Sequence, residues 1–274
     1  MIRLGHSPDP DDAFMFWGLA AGRVDQRGFE FEHVLADIQT LNEWALDGRL
    51  EVTALSLHAF PYVQERYALL PHGASMGSGY GPIVVAKEPM TREELARVRI
   101  TVPGKMTTAF LVLRLYLGDF EYREAPFDRI LDQVRNGQSD AGLLIHEGQL
   151  TYASLGLEKV VDLGEWWLLE TGLPLPLGVN CARRDLGEDS LRELSSVLEE
   201  SIRAGLDNRE EALAYAGQFG RGLDSDLTDR FVGMYVNELT CDYGDEGRSA
   251  VEELLRRGAA IGAFPEPVRV EFVG

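Results

Sequence analysis

The chain has 274 residues, of which 45% are hydrophobic and 26% are charged, a composition typical of a globular protein. Its length suits one large domain or two modest ones. The formal net charge of −19 opposes nucleic-acid and anionic membrane partners, because phosphate binding needs clustered Lys and Arg side chains. Apolar runs stay well short of the roughly 20 residues that span a bilayer, which also argues against a membrane partner.

The amino terminus and the cysteine content both favour a protein that is not exported. The opening sequence lacks the apolar core of a signal peptide, so we expect a cytoplasmic location. The two cysteines, Cys181 and Cys241, form no CxxC pair, and we expect no disulfide. The five histidines have neither HxxxH nor HxH spacing, so the sequence predicts no metal site.

Strands and helices are predicted to alternate along most of the chain, from hydrophobic periodicity and from the residues that end each element. The strands are expected at 2–7, 29–34, 52–56, 68–71, 82–86, 99–102, 120–124, 141–145, 159–163 and 175–181. The helices are expected after Asp9 and at 38–46, 57–66, 91–97, 107–117, 126–136, 190–206, 209–219, 226–236 and 245–257. This alternation predicts an α/β fold with mostly parallel sheets.

The middle of the chain resembles a self-contained α/β unit placed between two parts of another. We therefore predict a smaller inserted lobe over 87–176 and a larger, discontinuous lobe made of 1–86 and 177–274. The chain would cross between the lobes near 83–87 and 175–180. These two crossings would then form a two-stranded hinge.

Ligands of open α/β sheets bind outside the carboxyl ends of the strands, so the residues that follow each strand are candidates for the site. Ser56 ends one predicted strand, and His146 follows the buried strand 141–145. An imidazole with an ordinary pKa of about 6.5 suits proton abstraction at neutral pH. The alternative is that His146 is a structural histidine at the end of a core strand.

Two segments could bind a ligand through their backbone. Thr107 and Thr108 open a predicted helix, whose free N–H groups suit an anion, although Thr107 could simply cap that helix. The loop 73–81 contains Ser78, Gly79 and further glycines, which allow close backbone approach to a ligand. It could wall a substrate site or be a tight surface loop.

The acidic run Asp9, Asp11 and Asp12 also has two interpretations. Carboxylates at this spacing can hold Mg²⁺ or Ca²⁺. The neighbouring prolines and the following helix favour a simpler role, in which Asp9 caps the helix and the other two acids favour its dipole. We adopt the second interpretation.

Six dispersed motifs resemble those of the 1,4-dihydroxy-6-naphthoate synthases, which act in the futalosine route to menaquinone. The opening segment SPDPDDAFMF at 7–16 matches the family signature SPxPxDxFxF. The other motifs are SMGSGYGP at 75–82, LLIHE at 143–147, DLGEWW at 162–167, TGLPLPLG at 171–178, and NxxTxDYG at 237–244. The chain departs from the family pattern at Asp9, often Cys, and at Asp11, often Asn.

This resemblance implies a two-lobed fold similar to type II periplasmic binding proteins and a reaction without a cofactor. The lobes would close over cyclic dehypoxanthine futalosine and convert it to 1,4-dihydroxy-6-naphthoate, with His146 as the catalytic base. The residues then expected to bind substrate are Ser56, Ser78, Gly79, Thr107, Thr108 and Ile145. The expected partner is a small-molecule carboxylate, and the protein is expected to be a monomer or a homodimer.

Two other functions are compatible with the same fold. One is chorismate dehydratase, the sister enzyme of the pathway, against which His146 and the LPLPL segment at 173–177 argue. The other is a small-carboxylate binding protein without catalysis, since a fold does not fix a function.

Overall fold

The computed structural model describes residues 1–265 and 267–274, and its strands form two sheets. The strands are β1 (Ile2–His6), β2 (Phe31–Leu35), β3 (Val52–Ser56), β4 (Tyr67–Leu69), β5 (Ser75–Gly77), β6 (Ile83–Ala86), β7 (Ile100–Val102), β8 (Tyr122–Glu124), β9 (Ala141–Leu144), β10 (Glu158–Asp162) and β11 (Leu175–Arg183). The sequence predicted all of these to within a few residues except β5, whose residues were assigned to the glycine-rich loop 73–81.

The first sheet has the strand order β2-β1-β3-β11-β4, and β5 pairs with the beginning of β11. Strand β1 is parallel to β2 and β3, with Leu4 opposite His33 on one side and Val52 on the other. Strand β11 is antiparallel to β3, β4 and β5. The carboxyl ends of β1 and β3 therefore lie at the same edge, where a ligand is expected.

The second sheet has the strand order β10-β6-β9-β7-β8. Strand β7 is parallel to β8 and β9, whereas β6 is antiparallel to β9 and β10. The prediction of mostly parallel sheets is therefore wrong, because both sheets are mixed. Strands β6 and β11 are antiparallel to the strands that they pair with, and an antiparallel pair needs no crossover helix.

Most helices lie near their predicted positions, whereas those at 148–151, 163–171 and 238–241 were not predicted. The helices are α1 (Pro10–Met15), α2 (Trp17–Ala20), α3 (Ile38–Leu46), α4 (Phe60–Val63), α5 (Arg92–Leu95), α6 (Thr108–Leu117), α7 (Phe127–Arg135), α8 (Gly148–Thr151), α9 (Leu163–Thr171), α10 (Glu188–Asp207), α11 (Arg209–Ala216), α12 (Ser225–Tyr235), α13 (Glu238–Cys241) and α14 (Gly244–Ala260). No helix in the described part of the chain is long and apolar enough to cross a membrane.

Helix α9 was not predicted, although the sequence holds a signal for it. Asp162 caps the helix by accepting hydrogen bonds from the N–H groups of Gly164 and Glu165. Such a cap before an apolar run marks a helix start. Trp167 of this helix is fully buried and donates from Nε1 to the carbonyl of Pro174 at 3.0 Å, so it packs in the core.

The pairing of the strands moves one predicted lobe boundary. Strand β6, which was predicted to end the larger lobe, pairs within the second sheet. The chain therefore crosses between the sheets over 78–82 on the way out and over 172–174 on the way back. The predicted boundary after residue 86 is wrong for this strand, because its four residues are hydrogen-bonded to β9 and β10.

An ion pair at the edge of β1 gives a pH-dependent contribution to stability. Glu51 accepts hydrogen bonds from Nε and Nη2 of Arg3 at 2.9 and 2.7 Å, and Arg183 lies 3.4 Å away. The hydrogen bond from Arg3 is the main reason why the pKa of Glu51 falls from 4.5 to about 2. Because the folded-state pKa is the lower one, this stabilisation is complete above about pH 4.5 and is lost as the pH falls towards 2.

We expect Glu51→Gln to flatten the acid side of the stability profile. Urea unfolding between pH 7 and pH 2.5 should show a smaller loss of unfolding free energy for the variant than for the wild type below pH 4.5. Glu65→Gln is the matched control, because Glu65 is 80% exposed and its nearest cation is 3.8 Å away. An unchanged acid slope in Glu51→Gln would show that the ion pair does not stabilise the fold.

Candidate active site

A cavity open to solvent lies between the two sheets and is lined from both. Clefts between lobes of this kind are common places for small-molecule sites. The lobe built on the first sheet (the first lobe) contributes the loop between β1 and α1, the end of β3 and residues 177–180 of β11. The lobe built on the second sheet (the second lobe) contributes the start of α6 and Ile145, directly after β9. Four of the predicted site residues line it, namely Ser56, Thr107, Thr108 and Ile145.

Ser56 is held in place by an amide that the sequence analysis did not single out. Its hydroxyl oxygen accepts a hydrogen bond from Nδ2 of Asn42 at 3.0 Å, and its N–H donates to Oδ1 of Asn42 at 2.8 Å. Asn42 is fully buried on α3. Since the oxygen is the acceptor in this contact, the hydroxyl proton of Ser56 can be donated to a ligand.

The start of α6 presents backbone N–H groups to the cavity. The hydroxyl of Thr107 accepts from the N–H of Phe110 at 3.2 Å, so Thr107 caps the helix, the alternative that the sequence left open. The hydroxyl of Thr108 donates to the carbonyl of Leu177 at 2.6 Å. The first main-chain hydrogen bond of the helix runs from the N–H of Leu111 to the carbonyl of Thr107. The N–H groups of Thr108 and Ala109 come before it and have no partner within the helix, so this end of the helix suits an anion.

His146 is buried beside the cavity, with 5% of its surface exposed, but it does not line the cavity. Its Nε2 lies 2.9 Å from the carbonyl oxygen of Phe127, and its Nδ1 accepts from the N–H of Gly148 at 3.0 Å. Because a carbonyl only accepts, the neutral ring carries its proton on Nε2, and Nδ1 is the basic nitrogen. Oε2 of Glu147 is 3.6 Å from Nδ1.

The acidic run does not act as predicted at Asp9. Asp9 stands at the N-cap position of α1, but its side chain makes no capping hydrogen bond. It accepts instead from the hydroxyl of Ser7 at 2.9 Å and from Arg221 at 2.7 Å. The prediction that Asp9 caps the helix is therefore wrong, because an arginine distant in sequence competes for the carboxylate.

Two of these acids have altered proton affinity. Burial raises the pKa of Asp11 well above its usual value, and the charges of Asp12 and Asp9 raise it further. Burial also raises the pKa of Asp12 to about 6, against the opposing effect of the hydrogen bond from the N–H of Ser7. A protonated carboxyl of Asp11 in the cavity wall would reduce the repulsion of an anionic ligand.

The glycine-rich loop contributes differently from the prediction. Ser75 lines the cavity, whereas Ser78 is exposed and neither Ser78 nor Gly79 is among the lining residues. The pairing of β5 with β11 accounts for this difference. It places Ser75 opposite Gly178 at the cavity, and the loop after Gly77 lies outside the cavity.

Two lining residues, Asn180 and Tyr235, were not found from the sequence. Asn180 is 1% exposed on β11, and neither atom of its amide has a partner among the described residues. Tyr235, at the end of α12, donates to Oε1 of Gln149 at 2.9 Å and so joins the lobes. Asn180 sat inside a predicted strand, so strand-end reasoning could not select it; a polar residue within an apolar strand was the available signal.

The described residues offer no group of three or more His, Cys, Asp or Glu side chains that could hold a metal ion. Asp11 and Asp12 lie in the cavity wall, but Asp12 is turned to the N–H of Ser7 and Asp9 to Arg221. Asp11 and Asp12 stand in the first turn of α1, as the second interpretation of the acidic run has them, whereas Asp9 does not cap the helix.

Comparison with known proteins places this site in a family. The model of a family described as menaquinone biosynthesis matches residues 2–260. The chain belongs to this family. A 1,4-dihydroxy-6-naphtoate synthase from Thermus thermophilus is 45% identical over 267 residues, covering 97% of both chains. A Streptomyces coelicolor protein of the same name is 39% identical over 270 residues, covering 96% of this chain and 95% of its own.

The resemblance predicted from the motifs is thus confirmed, and so is the prediction of an enzyme, a lyase of menaquinone biosynthesis. A crystal structure of an Archaeoglobus fulgidus protein is similar with a TM-score of 0.91 and 47% identity, covering 95% of this chain and 97% of that one. The near-complete coverage means that both lobes belong to the family fold.

More distant structures confirm the fold class alone. An alkanesulfonate-binding protein from Xanthomonas axonopodis pv. citri has a TM-score of 0.74 at 13% identity, covering 98% of this chain and 96% of its own. A Candida albicans protein with the generic periplasmic binding protein fold has a TM-score of 0.72 at 13% identity, covering 98% and 92%. The predicted periplasmic-binding-protein-like fold of two lobes is therefore confirmed.

Proposed function

We propose that the chain converts cyclic dehypoxanthine futalosine to 1,4-dihydroxy-6-naphthoate in the cavity between its lobes. The observation that carries this proposal is the 45% identity, over 97% of both chains, to a relative named for that product. The cavity supports it, since it combines an anion-binding helix end with hydroxyl and amide groups. The cytoplasm is the proposed location.

His146 is the proposed general base. Its Nδ1 would take a proton from the sugar-derived part of the substrate, after which the ring opens, a C–C bond breaks, the sugar-derived fragment leaves and the naphthalenoid product becomes aromatic. To reach the substrate, Nδ1 must exchange the N–H of Gly148 for a substrate hydroxyl. The carboxylate of Glu147 would stabilise the imidazolium that forms.

The binding groups lie on both sides of the cavity. The N–H groups of Thr108 and Ala109 would hold the substrate carboxylate at the positive end of α6. The hydroxyl of Ser56 and the amide of Asn180 would bind oxygens of the sugar-derived part, on the face formed by β3 and β11.

The reaction itself is the test. Purified protein is incubated separately with cyclic dehypoxanthine futalosine and with chorismate, and products are followed by liquid chromatography with mass detection. Naphthoate from the first substrate alone supports the proposal. Product from chorismate alone would indicate the dehydratase, and binding of either compound without turnover would indicate a carboxylate-binding protein.

A pair of serine variants tests the binding surface. We expect Ser56→Ala to raise KM about tenfold, because one buried hydrogen bond to a substrate oxygen is lost. Ser78→Ala should leave KM within about twofold, since this exposed serine lies outside the cavity. Steady-state kinetics with both variants check this. Equal effects on KM would mean that the loop after β5 folds over the bound substrate.

A further inference from the structure

Arg221 connects the two lobes next to the cavity. It lies in the loop before α12, in the helical layer that packs on α1 of the first lobe. Its Nη1 is 2.7 Å from Oδ1 of Asp9, which also belongs to the first lobe. The same nitrogen is 3.1 Å from both carboxylate oxygens of Glu147, which follows β9 of the second lobe. The guanidinium of Arg221 therefore binds one carboxylate of the first lobe and one of the second lobe.

The second-lobe residues that Arg221 contacts, Phe127 and Glu147, both lie against His146. The guanidinium carbon of Arg221 lies 4.8 Å from the ring centre of Phe127, whose carbonyl oxygen is 2.9 Å from Nε2 of His146. The ring of Phe127 also meets the imidazole edge-to-face at 5.0 Å. Glu147, the other partner of Arg221, is 3.6 Å from Nδ1. Arg221 thus contacts two side chains that lie against the imidazole, those of Phe127 and Glu147.

Burial and backbone conformation indicate a specific arrangement. The side chain of Arg221 is 31% exposed, and those of Asp9 and Glu147 are 21% and 12% exposed. Partial burial makes such a pair stronger than a surface ion pair. Arg221 also has a φ of +45°, a left-handed conformation that costs a non-glycine residue free energy. The contacts to both lobes compensate for that cost.

We propose that Arg221 is a positioning residue that orients His146 when the lobes come together. The inference rests on the proposed function of His146 as the base. With the lobes closed, Asp9 and Arg221 hold Glu147 and Phe127, and these fix the plane and tautomer of the imidazole. With the lobes apart, the guanidinium loses its second-lobe partners and the imidazole loses its support. The reaction is thereby coupled to closure.

Kinetics of a variant without the guanidinium test the proposal. Arg221→Met keeps an unbranched apolar stem and removes the charge and the hydrogen-bond donors. We expect kcat to fall about 30-fold while KM changes less than threefold, because a misplaced base slows the reaction more than it weakens binding. Arg221→Lys, which keeps the charge, should recover part of the loss and serves if Arg221→Met folds poorly. Arg209→Met is the matched control, because Arg209 pairs with Asp229 at 2.5 Å and stacks on Phe14 at 5.5 Å, all within the first lobe.

A readout independent of activity separates this inference from the proposed function. The N–H of Gly148 donates to Nδ1 of His146, so its amide exchange rate, measured by NMR, reports how firmly the ring is held. We expect Arg221→Met to speed this exchange at least tenfold and Arg209→Met to leave it unchanged. If the wild type makes no naphthoate, the proposed function fails, but the exchange result still tests whether Arg221 holds the ring.

A double variant completes the test. If Arg221 acts through Glu147, the pair Arg221→Met with Glu147→Gln should have nearly the kcat of Glu147→Gln alone. Additive losses, equal losses in the two methionine variants, or unchanged kcat with unchanged Gly148 exchange would each overturn the proposal.

Discussion

His146→Ala is expected to lower kcat by about 10³-fold while changing the affinity for substrate by less than about fivefold. General base catalysis contributes roughly 10²–10⁴-fold, and the side chain lies beside the cavity rather than in its lining. Product formation followed by chromatography gives kcat, and titration calorimetry with the inactive variant gives the affinity.

The control for this variant is another buried histidine. His72 is 2% exposed and its Nε2 lies 2.8 Å from the hydroxyl of Ser195, away from the cavity lining. His72→Ala should lower the unfolding free energy by on the order of 2 kcal/mol, about as much as His146→Ala, but leave kcat unchanged. A His146→Ala variant that keeps more than about a tenth of the wild-type kcat would remove the imidazole from the reaction.

Gly164→Ala is expected to destabilise the fold by about 3 kcal/mol, near the upper end for overpacking a close contact. A Cβ on Gly164 would lie 2.0 Å from the carbonyl carbon and oxygen of Tyr80 and 2.5 Å from the nitrogen of Gly81. These atoms belong to the backbone of the outgoing crossing, so they can yield only if the crossing or α9 moves. We therefore also expect lower activity at temperatures where the variant remains folded.

Thermal and urea unfolding measure this effect, with Gly217→Ala as the control. A Cβ on Gly217 meets nothing within 4 Å, and its backbone is helical. Its unfolding free energy should stay within about 0.5 kcal/mol of the wild type. Similar stabilities for the two alanine variants would show that the crossing is loosely packed against α9.

The periodicity of the sequence predicted most elements because it is a local property. Helix α3 was predicted to the residue, since apolar positions recur at helical spacing before Asp47 and Gly48. The directions of β6 and β11 could not be predicted in this way, because they depend on partners far along the chain. Thus the α/β class was correct and the mostly parallel sheets were not.

The site residues that were found are likewise those with a local pattern, and the ones that were missed depend on contacts far along the chain. Ser56, Thr107 and Thr108 stand at the end of a strand or the start of a helix, and strand-end reasoning selected them; all three line the cavity. Ile145, which also lines it, was expected from the family resemblance. The role of Asp9 was missed because its partner, Arg221, is 212 residues away. Contacts of that kind are created by the fold and leave no local pattern.

The position of β11 has a consequence for the order in which the protein can fold during synthesis. Strands β6 to β10 of the second sheet are contiguous in the chain, whereas the first sheet needs β11 between β3 and β4. A nascent chain that has left the ribosome only as far as Pro174 can therefore complete the second sheet, but holds β3 and β4 without the strand that joins them. The inserted lobe is then the earlier folding unit, and the lobe that contains the amino terminus is finished last.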